Sequence, residues 1–83
     1  MPRVRYFAQA REAAGTGREV LAGATVGEVL DAAVRLHGQR LAAVLPTAAI
    51  WLDGEPAERG DPVAADAEVA ILPPVSGGFA PLA

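Results

Sequence analysis

One helix constrains everything else this chain can do. Thr25 followed three residues later by Glu28 forms a capping box, in which each side chain reaches an amide left unsatisfied around the first helical turn. Val29, Leu30, Ala33 and Val34 then recur at helical spacing and define one apolar face. Gly38, just past His37, supplies the left-handed stop. A helix with a single apolar face must lay it against something, and the flanking segments read as short strands. One sheet packed on this helix is the economical way to bury both apolar surfaces.

The strands follow from alternation and punctuation. Arg3 to Ala8 alternates basic with apolar residues and then becomes apolar throughout, as a strand running from an edge into a core would. Gly15-Thr16-Gly17 signals a turn, and Arg18 to Leu21 reads as the returning strand of a hairpin. Arg40 to Leu45 predicts a shorter helix ended by Pro46. Ala48 to Leu52 predicts a strand leading into Asp53-Gly54, a hairpin turn because both positions tolerate positive φ. Gly60-Asp61-Pro62 marks another turn. Glu68 to Leu72 is the last strand, stopped by Pro73 and Pro74, which cannot donate to a ladder. The expected class is α+β.

Composition excludes more than it suggests. At 83 residues the chain is one small domain, burying only a little over ~60% of its unfolded surface. It has no cysteine, one histidine (His37), and seven basic residues that are all arginine. Disulfides, Cys-ligated metals, Cys nucleophiles, histidine pairs and lysine Schiff bases or isopeptides are therefore excluded. A net charge of −3 without a basic cluster along the sequence argues against nucleic acid. No apolar run approaches the ~18 residues of a membrane span, and Met1-Pro2-Arg3-Val4 lacks the hydrophobic stretch of a signal peptide, so a soluble cytoplasmic protein is expected. No metal or cofactor is expected on this chain. His37, in the last helical turn, is read as complementing the helix dipole. Arg59-Gly60-Asp61 is read as a turn rather than an adhesion signal, and the acidic residues of the turns as solvated charge.

The order and spacing of five segments carry a family resemblance. VRYFAQAREAAG, TVGEVLDAAV, LDGE, AEVAILPPV and SGG together resemble MoaD, the small sulfur-carrier subunit of molybdopterin synthase, related to ThiS and more distantly to ubiquitin. The resemblance runs from residue 3 to residue 78. It implies a ubiquitin-like β-grasp, a mixed sheet of about five strands on one main helix. Residues 1–76 would form this carrier domain, and residues 77–83 a flexible Gly-Gly tail with a five-residue extension. Ala65-Asp66-Ala67-Glu68 departs from the family, which usually has a glycine-aspartate turn there.

The resemblance also implies a carrier cycle centred on Gly77 and Gly78. A ubiquitin-activating-type, MoeB-like enzyme would use ATP and Mg to adenylate the Gly78 carboxylate. A sulfur donor would displace AMP to leave a thiocarboxylate, which a large MoaE-like synthase subunit would consume. Glycine suits a chain end that must enter narrow active sites, since it has no Cβ to clash. Pro73 and Pro74 restrict the chain before it and reduce the entropy lost on docking. However, Phe79 to Ala83 follow Gly78 in this sequence, so its carbonyl lies in a peptide bond. A processing peptidase cutting after Gly78 would expose the working end. The alternatives are a binding paralogue, a ubiquitin-like protein modifier, or a carrier serving thiamine, cysteine or a natural product. Read without the resemblance, Gly77-Gly78 is a hinge to a disordered tail.

Alternation also predicts a docking face. If Val4, Tyr6, Ile50, Leu52, Val69 and Ile71 face the helix, then Phe7, Trp51 and Leu72 lie on the opposite side of the sheet with Arg3 and Arg5. The resemblance places Phe7 and Leu72 where the family meets its larger subunit. Pro73, Pro74 and Val75 extend this expected partner-binding set toward the tail, with Arg11 as a polar rim contact.

Overall fold

The computed structural model describes residues 1–74. Strand β1 (Arg3–Tyr6) is followed by helix α1 (Ala8–Ala14), β2 (Arg18–Val20), the long helix α2 (Val26–His37), and α3 (Gln39–Val44). A 3₁₀ turn over Leu45–Thr47 leads into β3 (Ala49–Leu52), the two-residue β4 (Glu55–Pro56) and β5 (Glu68–Leu72). The sheet order is β2-β1-β5-β3-β4. β1 and β5 run parallel at its centre, and every other pair is antiparallel. This is the expected mixed five-stranded α+β sheet of the β-grasp.

Helix α2 forms as its sequence dictates. The Glu28 amide donates to Thr25 Oγ1 at 3.2 Å as the capping box requires, while the Glu28 carboxylate accepts at 2.8 Å from the amide of Ala24, one residue before the cap, instead of from that of Thr25. Val26, Val29, Leu30 and Ala33 are buried, while Val34 sits at the margin of the stripe. The turn around Asp61 completes the helix start. The Val26 amide donates to Asp61 O at 2.9 Å and the Gly27 amide to Arg59 O at 2.8 Å, satisfying amides with no partner inside the helix. Arg59 also reaches Asp31 Oδ1 at 2.7 Å, and Asp61 Oδ2 accepts from the Glu58 amide at 2.9 Å. The Arg59-Gly60-Asp61 tripeptide is therefore a turn whose charged side chains are both engaged within the fold.

The core lies between one sheet face and the helices. Val4, Tyr6, Val69 and Ile71 of the sheet meet Val29, Leu30 and Ala33 of α2, with Ala10 of α1 and Leu41 of α3 closing the ends. Ile50 and Leu52 pack against this cluster. Alternation assigned these faces correctly because each strand has a helix-covered side and an open side.

Two local expectations are corrected. The first strand stops at Tyr6 instead of Ala8, and the turn before β2 contains α1 rather than being a simple hairpin. Ala8 takes φ of 51° and steers the chain out of the sheet, and Ala8–Ala14 is rich in alanine, the best helix former. Gly15 is the left-handed C-cap of this helix, its amide donating to Arg11 O at 2.9 Å. β2 nevertheless pairs antiparallel with β1 as expected. His37 does more than complement the helix dipole. Its Nε2 lies 2.5 Å from Glu19 Oε2, and the same oxygen accepts from the Tyr6 hydroxyl at 2.5 Å. Among the described residues, no helix is long and apolar enough to cross a membrane.

Candidate functional site

The sheet face opposite the helices is uncovered in the described structure, and its cross-strand registers organise it. One row runs through Arg18, Arg5, Ala70, Trp51 and Pro56, each residue paired with the next across all five strands. Ala70, the smallest side chain of the row, stands between Arg5 and Trp51. It forms the floor of a shallow groove walled by Arg5, Phe7, Trp51, Glu68 and Leu72, with Gly54 at one end.

Phe7 owes its place to the strand end. Its backbone is still extended, at φ −125° and ψ 151°, so its side chain continues the alternation that turns Tyr6 inward. The Phe7 amide donates to Ile71 O at 3.1 Å, joining it to the end of β5. The Arg5 guanidinium carbon lies 5.1 Å from the Phe7 ring centroid, within cation–π range, and Arg5 Nε lies 3.4 Å from Glu68 Oε2. Phe7, Trp51 and Leu72 are each half-buried. Trp51 is held by its pairing with Ala70 on one side and Pro56 on the other.

The hairpin end of the groove is fixed by Asp53. Asp53 and Gly54 take φ of 49° and 87°, as their turn requires. Asp53 Oδ1 accepts from the Glu68 amide at 2.9 Å while its own amide donates to Glu68 O at 2.9 Å. Asp53 thus ties the turn to β5 instead of being merely solvated.

Phe7, Trp51 and Leu72 therefore share one groove. Arg11 does not line it; it lies in the adjoining hollow with Arg5, Phe7 and Arg18. Pro73 and Pro74 are exposed immediately beyond Leu72, where the chain leaves the centre of the sheet. Val75, Gly77 and Gly78 lie outside the described residues. The sequence reading missed Ala70 as the floor, although the alternation of Glu68 to Leu72 already turns it toward the Trp51 face. It also missed Glu68 and Gly54, which need the register to be seen.

The described residues offer little chemistry of their own. No group of three His, Asp or Glu side chains among them is placed to hold a metal. The one strongly shifted group is Tyr6, whose hydroxyl is pushed well above the usual tyrosine range. Burial is the main cause, followed by its hydrogen bond to Glu19 and the charge of that carboxylate.

A family model described as the ThiS family matches residues 4–78. The chain belongs to the ThiS family. It is thus a small ubiquitin-like protein of a sulfur-carrier family, and the ThiS-family match ends on Gly78, before Phe79. Among solved structures it is similar to SAMP1 from Haloferax volcanii, with 36% identity over 93% of this chain and 98% of that one, at a TM-score of 0.75. The small archaeal modifier protein 1 of Methanosarcina acetivorans is 28% identical, covering 93% of this chain and 95% of its own, at a TM-score of 0.83. Subunit 1 in the complex of subunits 1 and 2 of molybdopterin-converting factor from Helicobacter pylori shares the fold at 23% identity. That match covers 93% of this chain and 97% of the other, at a TM-score of 0.67. No curated protein matches the chain.

Proposed function

We propose that this ThiS-family chain is the sulfur carrier of a molybdopterin-synthase-type system, with Gly78 as its working end. The observation that carries the reading is that the family match stops on Gly78, the second of two glycines, while Phe79 follows in the sequence. A peptidase cut after Gly78 frees its carboxylate. A MoeB-like activating enzyme with ATP and Mg converts that carboxylate to an acyl adenylate, releasing pyrophosphate. A sulfur donor at the sulfide level then displaces AMP and leaves a thiocarboxylate. The chain supplies no catalytic side chain to these steps. It provides a terminus that fits a narrow channel, and a groove beside the exit at Leu72 that orients the domain on its partners.

The Helicobacter pylori protein occurs in a complex with a second subunit of its converting factor. The groove of Phe7, Trp51 and Leu72 is the surface this chain would offer to a MoaE-like subunit of that kind. The test compares the full chain with a version ending at Gly78, each incubated with the host's activating enzyme, ATP, Mg and sulfide. Intact mass should show one oxygen replaced by sulfur on the Gly78-ended version alone. Sulfur on neither version, with an active enzyme, would reject the carrier reading.

A second reading has its own support. The 36% identity to SAMP1 of Haloferax volcanii favours a protein modifier that joins Gly78 to amines of other proteins. A tagged chain purified under denaturing conditions from its host would then carry covalent protein adducts. Without a lysine of its own, it could not extend such adducts into side-chain-linked polymers.

A further inference from the structure

The groove borders a surface whose charge runs against that of the whole molecule. Arg3 and Arg5 of β1 and Arg18 of β2 all point to the open sheet face, and all three are exposed. Together with Glu19, Val20 and Glu68 they line a second hollow adjoining the groove, and Arg11 lines the hollow on the other side of Arg5. Four of the seven basic residues of a chain with net charge −3 are thus gathered on one patch. Arg5 and Arg18 are direct cross-strand partners, an arrangement of like charges that weakens a sheet. Among the described residues, only Arg5 of the four has a carboxylate within ion-pair distance, namely Glu68. Glu19 also borders this hollow, but its carboxylate is engaged by Tyr6 and His37 on the core side of the sheet.

We infer that Arg3, Arg5 and Arg18, bordering the Ala70-floored groove, form a docking surface for an acidic protein segment. The segment would lay carboxylates across the arginines and seat an apolar side chain between Phe7 and Trp51. The inference rests on the reading of the groove as a docking face and adds the chemistry of what docks. Two observations favour it. Arg18 faces Arg5 across the ladder and Glu68 offsets only Arg5, so the pair conflicts with stability alone, and such conflicts gather at functional surfaces. An apolar centre with a charged rim is the anatomy of a protein interface, and arginine forks match carboxylates in two-point hydrogen bonds. Nucleic acid is disfavoured because the chain is acidic overall and the patch is short, with only three residues in β2.

The test is an amide NMR titration of the full chain with three probes. These are a short peptide alternating glutamate with leucine, its glutamine counterpart, and a short DNA duplex. The acidic peptide should move the amides of Arg3, Arg5, Arg18, Ala70 and Trp51, more weakly as salt is raised. Arg18→Glu should weaken binding by about tenfold. That substitution replaces a like-charge pair by an opposite one, so the fold is not the casualty. Equal binding of the glutamine peptide, tighter binding of DNA, shifts confined to another surface, or no shifts would each overturn the inference. Sulfur transfer to Gly78 is read separately by mass. Failure there with peptide binding intact would count against the carrier reading and not against this surface.

Discussion

The Tyr6 hydroxyl donates to Glu19 Oε2 at 2.5 Å from within the core, where the ring is 2% exposed. Burial and the neighbouring carboxylate both resist loss of the phenolic proton, so the folded chain holds it more tightly than the unfolded chain does. The resulting stabilisation is complete below the unfolded tyrosine value of about 10 and is lost as pH rises beyond it. The chain has no lysine, no cysteine and no second tyrosine, so no other side chain obscures this window. Urea unfolding midpoints should fall as pH is raised past about 10, and Tyr6→Phe should flatten that fall. A midpoint independent of pH in the wild-type chain would contradict the buried phenol.

Gly23→Ala and Gly15→Ala should both destabilise, for different reasons. A Cβ at Gly23 would stand 2.6 Å from Val29 Cγ2 and 2.7 Å from the Val29 backbone nitrogen, with a cost of about 1–3 kcal/mol. At Gly15 there is open space, but φ of 76° makes alanine cost about 1–2 kcal/mol. Trimming Val29 to alanine should not rescue Gly23→Ala, because the amide nitrogen stays where it is. Chemical denaturation of the single and double variants measures this.

Thr25→Ala removes the oxygen that accepts from the Glu28 amide. The loss should be about 1 kcal/mol, or roughly 4–8 °C in Tm for a domain of this size. Thr25→Ser should retain most of the stability, which thermal unfolding by circular dichroism would show.

Phe7→Ala and Ala70→Phe probe the groove from opposite directions. The first removes a wall and the second fills the floor, and neither touches the buried cluster. Under the proposed carrier role, each should lower the rate at which a MoeB-like activating enzyme adenylates a Gly78-ended chain by about tenfold or more. Pyrophosphate exchange reads this, with the unfolding midpoint as control. Unchanged exchange in both variants would mean that the enzyme grips another surface.

Much of this architecture can be read before any coordinates. The capping box and stripe of α2, the inward Val4, Tyr6, Val69 and Ile71, and the Asp53-Gly54 turn follow from local rules about period and backbone freedom. The helix Ala8–Ala14 escapes such a reading because Phe7 and Ala8 prolong the apolar run of β1, and the bend at Ala8 uses a φ that alanine seldom takes. The Glu19–His37 contact and the docking of Arg59 on α2 escape it because they join residues far apart in the chain. The groove is intermediate. Alternation brings Phe7, Trp51 and Leu72 to one face, but only the register sets Ala70 between Arg5 and Trp51 and puts Arg18 opposite Arg5.

The position of β5 has a mechanical consequence. The strand that leads to the tail is flanked on one side by β1, running the same way, and on the other by β3. A partner that draws the chain end into a channel pulls along β5. That tension cannot peel the strand away one hydrogen bond at a time, as it could at an edge. It must shear two ladders at once, with Val69 and Ile71 anchored in the core. Under the proposed carrier role, the domain would therefore serve as a rigid handle for its own terminus, able to be gripped, threaded and withdrawn without unravelling.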